Sequence, residues 1–450
     1  MNNVLRVFTT LVPFTCIWGC MDPSGLASIT NKNFRSEKTT AVVDLADDFK
    51  SDLLLAENSS LYDVIEKAVV SHPEVKSAQF AEKKSAQMIS SVSSEKLMKV
   101  IGNVNAGGIR KDDADTTLTA GVSGELNIAK VVFDGGVIDN LVSKQTLEYE
   151  SAKENTRSVK NEIGRKAGTA WVHFSSATQK LQAIDDVEKL LLPYAENAKK
   201  MAETGLLDRT MSDKIETILL ELDLEKQTAL HAVEIATLNF SNFFGTPPNS
   251  ITFPKKYFQK SDFEKVLQEI GESPTLKKAD LKIAIANAVS SEKRAAFSPK
   301  INLQAGVSSP LDPSDTAAAQ AGFRVNYIFN DGGKRQADLE AAEESVRQAI
   351  EDKESAMLAI ESATQSDVRM LKLLEASIVL GSRKRQMLIE SLEVLRSQLK
   401  TGQANFKQLA DLQIAHHRIS VDILDKEAEL MTTRYKLAAT LGMFDLIAAN

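Results

Sequence analysis

Hydrophobic and polar residues alternate in four short segments of the chain, which form two pairs. A period of two is typical of a β-strand with one apolar face. The apolar residues of the second pair are Ile301, Leu303, Ala305 and Val307, then Ala321, Phe323, Val325 and Tyr327. The clearest apolar residues of the first pair are Leu118, Ala120, Val122, Leu126 and Ile128, which follow a weaker segment, "VIGNVNAGG". Each pair predicts a β-hairpin with strands of about 9–11 residues, the length at which a tilted strand crosses a bilayer.

Downstream of each hairpin the apolar period becomes helical. Apolar residues step by three and four over residues 163–191, and a seven-residue spacing holds over residues 409–437. These spacings predict long helices that pack side by side as coiled coils. Two shorter helices, at about residues 61–99 and 274–297, are predicted to lead into the hairpins.

Three glycine landmarks recur at one constant offset of 197 residues, which indicates an internal duplication. The pairs are Gly136 and Gly333, Gly205 and Gly402, and Gly245 and Gly442. We predict a first repeat at residues 61–245 and a second at 274–442, each with a helix, a β-hairpin and a long αα-hairpin. A linker and small equatorial packing element, residues 246–273, separates them, and residues 443–450 form a C-terminal tail.

Glycines mark two kinds of position in each repeat. The pairs Gly135-Gly136 and Gly332-Gly333 stand between a strand and a long helix, where we predict structural joints at which the backbone bends. Gly205 and Gly402 each follow a long helix, and we predict that they form the tips of the αα-hairpins.

The N-terminus, "MNNVLRVFTTLVPFTCIWGC", has the outline of a bacterial signal peptide at residues 1–20, followed by an extension at residues 21–60. Both cysteines of the chain, Cys16 and Cys20, lie inside it, so cleavage before Cys20 would leave no disulfide. Cys20 is then a candidate for lipidation, which fatty-acid labelling of a Cys20→Ala variant would test. Trp18 is bulkier than the usual residue before such a site, and ordinary cleavage between Cys20 and Ala27 is the alternative. No other apolar run reaches the ~20 residues of a membrane-spanning helix, so membrane entry is predicted to use a β-barrel.

Charge and motifs argue against several functions. The net charge is −7 and no basic stripe is present, which argues against a nucleic-acid partner. No phosphate-binding glycine loop, nucleophile elbow or metal-spaced cluster appears, so we predict no catalytic residues, no cofactor and no metal site. The adjacent His416 and His417 point in different directions on a helix and are interpreted as a packed or solvent-facing pair.

Four strands cannot close a barrel alone, and an open edge in lipid leaves unpaired backbone groups. A homotrimer would supply twelve strands, and the long helices would extend the barrel as a tube. Phe133, Phe323, Tyr327 and Phe329 fit either an aromatic belt at the membrane interface or ordinary packing. Pro193 predicts a kink near the first tip, either functional or simply tolerated.

At these motifs the sequence resembles the TolC-like outer-membrane efflux protein family, over residues 61–442. The segments that carry the resemblance are "LYDVIEKAVVSHPEVKSAQ" and "SPTLKKADLKIAIANAVSSEKRAAFSPKINLQAGV" before the hairpins, "FDGG" and "FNDGG" at the joints, and "TGLLDRTMSD" and "TGQANFKQLADLQ" at the tips. The resemblance implies a mainly α fold with a membrane β-barrel portion, as a trimeric 12-strand barrel with an α-helical tunnel. It also implies an exit duct in the outer-membrane lipid for tripartite efflux or type I secretion, working with a periplasmic adaptor and an inner-membrane transporter.

The resemblance also implies site residues. Family members can carry acidic residues that ring the narrow entrance a turn or two after the second tip glycine, and the matching positions here are Gln408 and Asp411. Gln408 departs from the acidic pattern, which leaves Asp411 as the aperture candidate. The alternative for Asp411 is a solvated carboxylate near a helix start. The equivalent positions at the first tip hold Met211 and Lys214.

The tips are expected to dock an adaptor. The candidate residues are Gly205, Leu206, Asp208, Arg209, Ser212, Asp213, Gly402 and Asn405. The alternative for the first tip is a capped turn with Ser212 or Asp208 as N-cap.

Two other functions remain as alternatives. A periplasmic coiled-coil scaffold or adaptor without a membrane barrel could also carry helical hairpins, but the duplicated strand hairpins of membrane length favour the channel. An autonomous porin is disfavoured, because four strands and so much helix do not make a self-contained barrel.

Overall fold

The computed structural model describes residues 61–110, 118–247, 270–310, 316–401, 403 and 405–443. Cys20, with the rest of the predicted signal peptide, and Gly402 at the second tip lie outside these residues. The α-helices are α1 (Leu61–Ser71), α2 (Pro73–Ser93), α3 (Val137–Glu203), α4 (Arg209–Phe244), α5 (Pro274–Ala295), α6 (Lys334–Lys400) and α7 (Phe406–Thr440). The strands are β1 (Lys99–Arg110), β2 (Leu118–Phe133), β3 (Lys300–Ser309) and β4 (Ala318–Asn326).

The four strands form one antiparallel sheet in the order β1-β2-β3-β4. Strand β2 joins the two hairpins because it pairs with β3 as well as with β1. Strand β2 has 16 residues, which is longer than the predicted 9–11, because it continues past a register shift between Val131 and Phe133 to the first joint. The outer strands β1 and β4 have one paired edge each within the described residues.

The structure confirms the internal duplication and the mainly α fold. Helices α3 and α6 are both 67 residues long, and they start 197 residues apart, as do α4 and α7. Helices α2 and α5 start 201 residues apart, as do β1 and β3. The offset therefore changes within the hairpins, and the second hairpin is the shorter one.

The helix predicted over residues 61–99 is in fact two helices, so that prediction was wrong. His72 separates α1 from α2 and caps α2, because its Nδ1 accepts a hydrogen bond from the Glu74 N–H at 3.2 Å. Pro73 then opens α2. A proline ring clashes with the preceding helical turn, which ends α1, but it is well tolerated at a helix start.

Helix α3 is the centre of the helical packing. It contacts α2 and α4 from its own repeat, and α5 and α7 from the other repeat. Helix α6 packs against α5 and α7. Because α3 is flanked by both repeats and α6 by its own, large apolar side chains stay exposed along α6, including Leu358, Leu373 and Leu380.

The main core lies where α1, α3, α4 and α7 meet. Its largest members are aromatic: Trp171, Phe174, Phe240, Phe244 and Tyr435. Burial of one such side chain stabilises a fold by about 1.5–3 kcal/mol. Gly168 lets α7 approach α3, since a Cβ there would lie 2.9 Å from the Tyr435 ring.

Within the described residues, no helix combines the length and the apolar character that crossing a membrane would require.

Candidate functional site: tips and joints

The first tip ends α3 with a Schellman motif centred on Gly205. Gly205 has a φ of 74°, a left-handed conformation that favours glycine. The Leu206 N–H bonds to the Met201 carbonyl at 2.8 Å, and the Gly205 N–H bonds to the Ala202 carbonyl at 3.1 Å. These bonds satisfy carbonyls at the helix end and project Leu206 outward, where three quarters of it is exposed.

Asp208 then starts α4 as its N-cap. Its carboxylate accepts a hydrogen bond from the Thr210 N–H at 3.0 Å. The hydrogen bonds from Thr210 hold the pKa of Asp208 below its usual value. Of the two cap candidates in the sequence, the structure selects Asp208, and Ser212 lies within the first turn of α4. Arg209 and Asp213 are exposed on the same turn.

The second tip starts α7 with a capping box. The Asn405 side chain accepts a hydrogen bond from the Gln408 N–H at 2.9 Å, and Gln408 Oε1 accepts one from the Asn405 N–H at 3.1 Å. This reciprocal pair satisfies two backbone donors that a helix start leaves open. The Gln408 amide oxygen is thereby engaged with the backbone.

Asp411 lies one turn farther along α7, and half of its side chain is exposed. Its Oδ2 is 2.5 Å from Nζ of Lys407, in the i,i+4 spacing that favours a helix ion pair. Sequence reasoning missed Lys407, although this spacing was the signal that could have found it. The aperture candidate therefore carries its own counter-ion.

Apolar packing holds the two tips together. Val187, Leu191, Leu222, Ala410 and Ile414 form a cluster between α3, α4 and α7. Closer to the tips, the rings of Tyr194 and Phe406 lie 6.0 Å apart between centroids. Helix α3 continues through Pro193 to Glu203. Residues just before the first tip thus contact the start of the helix that carries Asp411.

The two joints share one backbone design. Gly135 and Gly136 have φ values of 69° and 92°, and Gly332 and Gly333 have 68° and 89°. The preceding aspartate caps the next helix in both. Asp134 accepts from the Gly136 and Ile138 N–H groups, each at 2.9 Å.

Asp331 plays the matching part at the second joint. It accepts from the Gly333 and Arg335 N–H groups, each at 3.1 Å. Arg335 adds an ion pair to Asp331 at 2.7 Å, which lowers the pKa of that carboxyl, and it donates to the Ile328 carbonyl at 2.7 Å. Arg335 is a joint residue that sequence reasoning missed.

The surroundings of the joints differ. A Cβ on Gly135 would lie 2.2 Å from Ser298 Cβ and 2.8 Å from the Ala295 carbonyl, so this joint sits tightly on the end of α5. A Cβ on Gly332 would meet nothing within 4 Å. One joint is covered by the other repeat, and its counterpart is open.

The aromatic candidates near the joints are exposed. Phe329 is 90% exposed, and Phe323, Tyr327 and Phe133 are also exposed. The rings of Tyr327 and Phe329 meet edge to face, 4.9 Å apart.

The two adjacent histidines lie in different surroundings. His417 is buried, and its Nε2 is 3.0 Å from Glu225 Oε1. His416 is partly exposed, and burial together with nearby Arg385 lowers its pKa. In the part of the chain that the structure describes, no group of three or more His, Cys, Asp or Glu side chains could hold a metal ion.

Comparison with known proteins identifies the relatives of this chain. Residues 267–443 match the family model described as outer membrane efflux protein. The chain is similar in structure to CusC, with a TM-score of 0.74 and 15% identity over 86% of this chain and 95% of that chain. It is similar to the outer membrane protein VceC of Vibrio cholerae, with a TM-score of 0.73 and 13% identity over 85% and 96% of the two chains. It is also similar to the open state of the MtrE outer membrane channel of Neisseria gonorrhoeae, with a TM-score of 0.73 and 16% identity over 85% and 88%.

No curated protein matches the chain. The family match confirms the resemblance to outer-membrane efflux proteins that the sequence indicated. The structural matches, at this low identity, show the fold alone.

Proposed function

We propose that this chain, whose residues 267–443 match the outer membrane efflux protein family, forms a homotrimeric channel in the bacterial outer membrane. It acts as the passive exit duct of a tripartite efflux or type I secretion system, with its helical tunnel in the periplasm. One observation carries this proposal: each repeat joins a strand hairpin to a very long helical hairpin, and both outer strands of the sheet keep an open edge.

The open edges require more copies of the chain. An unpaired N–H or C=O in lipid costs several kcal/mol, so membrane strands occur in closed barrels. Four strands are too few to close, and the smallest bacterial barrels have about eight. Three copies supply twelve strands, enough for a lumen that the helices can extend.

The tips are the proposed docking site for a periplasmic adaptor, which in turn links the channel to an inner-membrane transporter. Leu206 is exposed at the first tip, beside the exposed charges Asp208, Arg209 and Asp213. An exposed leucine ringed by charged groups suits a protein contact with a small apolar centre. Cargo is moved by the energy of the partner, and this chain opens and closes.

Asp411 is the proposed aperture residue. Three copies around a narrow entrance would bring like charges together and attract cations. Lys407 reduces that charge, because it forms an ion pair with Asp411 on the same helix. Gln408 adds no charge and is engaged in the capping box, so the proposed ring has one acidic layer.

The test of this proposal is the assembly state of the full chain. Protein extracted from outer membranes in detergent should contain three chains by native mass measurement, and it should fractionate with the outer membrane. A stable soluble monomer would overturn the channel and favour the scaffold or adaptor. Neighbouring genes distinguish the two systems, because an ABC transporter beside an adaptor gene would point to type I secretion.

A further inference from the structure

The chain contains one interface between its two repeats, and it exposes the two halves of a second interface of the same kind. The internal interface includes the pairing of β2 with β3, the contacts of α3 with α5 and α7, and the seat of Gly135 on the end of α5. The open counterparts are the free edge of β4, the outer side of α6 and the space beside Gly332. On the other flank, β1 also has a free edge.

The two repeats correspond residue by residue in the sheet, which allows the missing interface to be read from the present one. Shifting β1 by 201 residues and β2 by 197 maps the first hairpin onto the second. Asn103, which lies opposite Glu125, then corresponds to Gln304, which lies opposite Gly322. The same pair of offsets separates the starts of the helices α2 and α5, and of α3 and α6. The correspondence therefore holds for strands and helices independently.

We propose that β4 of one copy of this chain pairs antiparallel with β1 of a neighbouring copy, with Val325 directly opposite Val104. The register follows from β2 and β3, where Ile128 lies opposite Ala305. The two offsets convert Ile128 into Val325 and Ala305 into Val104. This inference rests on the proposed assembly of several copies and adds which residues meet at the seam.

The joint supplies a second, independent prediction of the same seam. Gly135 packs against Ala295 and Ser298, just before β3. The matching residues before β1 are Ser94 and Leu97, and Leu97 is exposed. Gly332 of one copy is then placed against Ser94 and Leu97 of the neighbouring copy, which fills the open space beside it.

The seam pairs residues of compatible size. Phe323 would face Ala106 of the neighbouring copy, as Leu126 faces Val307 inside the chain. Val325 and Val104 are both exposed in the single chain. Cross-strand pairs of β-branched residues are favourable in antiparallel sheets. A slip by one residue would turn every apolar side chain to the opposite face, so registers that keep the faces differ by two residues.

Cysteine cross-linking in the full-length chain, in outer membranes, tests the register. The variant Val104→Cys with Val325→Cys is compared with Ala106→Cys plus Val325→Cys and Gly102→Cys plus Val325→Cys, which are each shifted by two residues. Directly opposite Cα atoms lie about 4.5–5.5 Å apart and diagonal ones about 7–8 Å, near the limit for a disulfide. The matched pair should therefore form disulfide-linked oligomers at least about fivefold more than either shifted pair. Single-cysteine variants control for disulfides that involve the native cysteines.

The outcomes separate this inference from the proposed function. Equal or stronger cross-linking of a shifted pair would overturn the register. A trimer by native mass in which none of the three pairs cross-links would overturn the β4-to-β1 seam and leave the channel standing. A chain that stays monomeric in detergent would overturn the trimer itself, and with it the seam.

Discussion

At the scale of single residues, the tip side chains bind the backbone before any partner. Asn405 and Gln408 cap α7, and Asp208 caps α4. Such caps satisfy N–H groups that the first helical turn leaves without a partner. Asp411 makes no cap, and it is left as the candidate charge for cargo ions at the second tip.

Asp411→Asn should weaken block of the channel by multivalent cations. Three proposed carboxylates at a narrow aperture attract cations, and their removal should raise the blocking concentration in planar bilayers. Lys407 already offsets part of each charge. An exposed ion pair is worth about 0–1 kcal/mol, so we expect a change of about two- to fivefold rather than orders of magnitude.

Lys407→Gln is the matched variant, and it should act in the opposite direction. It frees the Asp411 carboxylate and should strengthen cation block, whereas Lys407→Gln combined with Asp411→Asn should behave like Asp411→Asn alone. If conductance and block stay unchanged in all three variants of an intact trimer, Asp411 is a solvated carboxylate and the entrance is controlled elsewhere.

The sequence predicted the aperture candidate but could not predict the contacts around it. The resemblance placed Asp411, and composition showed that Gln408 carries no charge. The capping role of Gln408 depends on α7 starting at Phe406, and helix ends are the least certain part of a periodicity argument. Arg335 was missed because its contacts join a loop carbonyl and an aspartate in three dimensions.

At the scale of elements, apolar periods predicted the long helices and both hairpins. The period could not show that α1 and α2 are separate, because Pro73 lies inside a continuous apolar pattern. It could not show the length of β2 either, since β2 is paired on both edges and continues beyond its alternating segment.

Asp208→Ala and Asp208→Asn separate helix capping from docking charge at the first tip. Alanine removes the acceptor for the Thr210 N–H, so the first turn of α4 should fray. We expect amide hydrogen exchange there to become about five- to tenfold faster, as for other lost N-caps. Asparagine keeps a good capping oxygen but removes the charge, and exchange should stay close to that of the parent chain.

The adaptor readout then assigns the role of the charge. If Asp208→Asn weakens adaptor binding in pull-down while exchange is unchanged, the carboxylate itself contacts the adaptor. If only Asp208→Ala weakens binding, the shape of the capped turn matters and not its charge. Full binding by both variants would remove Asp208 from the docking surface.

At the scale of the whole molecule, the two long helices have unequal surroundings. The repeat offset matches Asn161 in α3 with Leu358 in α6, and Ser176 with Leu373. Asn161 and Ser176 are 1% and 4% exposed, whereas Leu358 and Leu373 are 62% and 60% exposed. Positions covered in the first repeat thus carry uncovered leucines in the second, as expected if another copy covers them.

Leu358→Ser combined with Leu373→Ser should weaken the trimer and leave the chain folded. Each leucine contributes about 1.5–3 kcal/mol when it is fully buried, and three seams would each lose two. Helix α6 should keep its place, because Ile360, Leu371 and other buried residues hold it against its neighbours. We expect the trimer-to-monomer ratio on native gels to fall at least about tenfold, with unchanged helical circular dichroism.

Leu206→Ser is the control, since it makes the same chemical change at an exposed leucine of the first tip, away from α6. It should leave the trimer intact, and any loss should appear in adaptor binding. If it lowers the trimer as much as the α6 variant does, solubility of exposed leucines rather than a seam explains the effect. If the α6 variant keeps a full trimer, the outer side of α6 lies outside the contact between copies, and strand pairing alone must hold the assembly together.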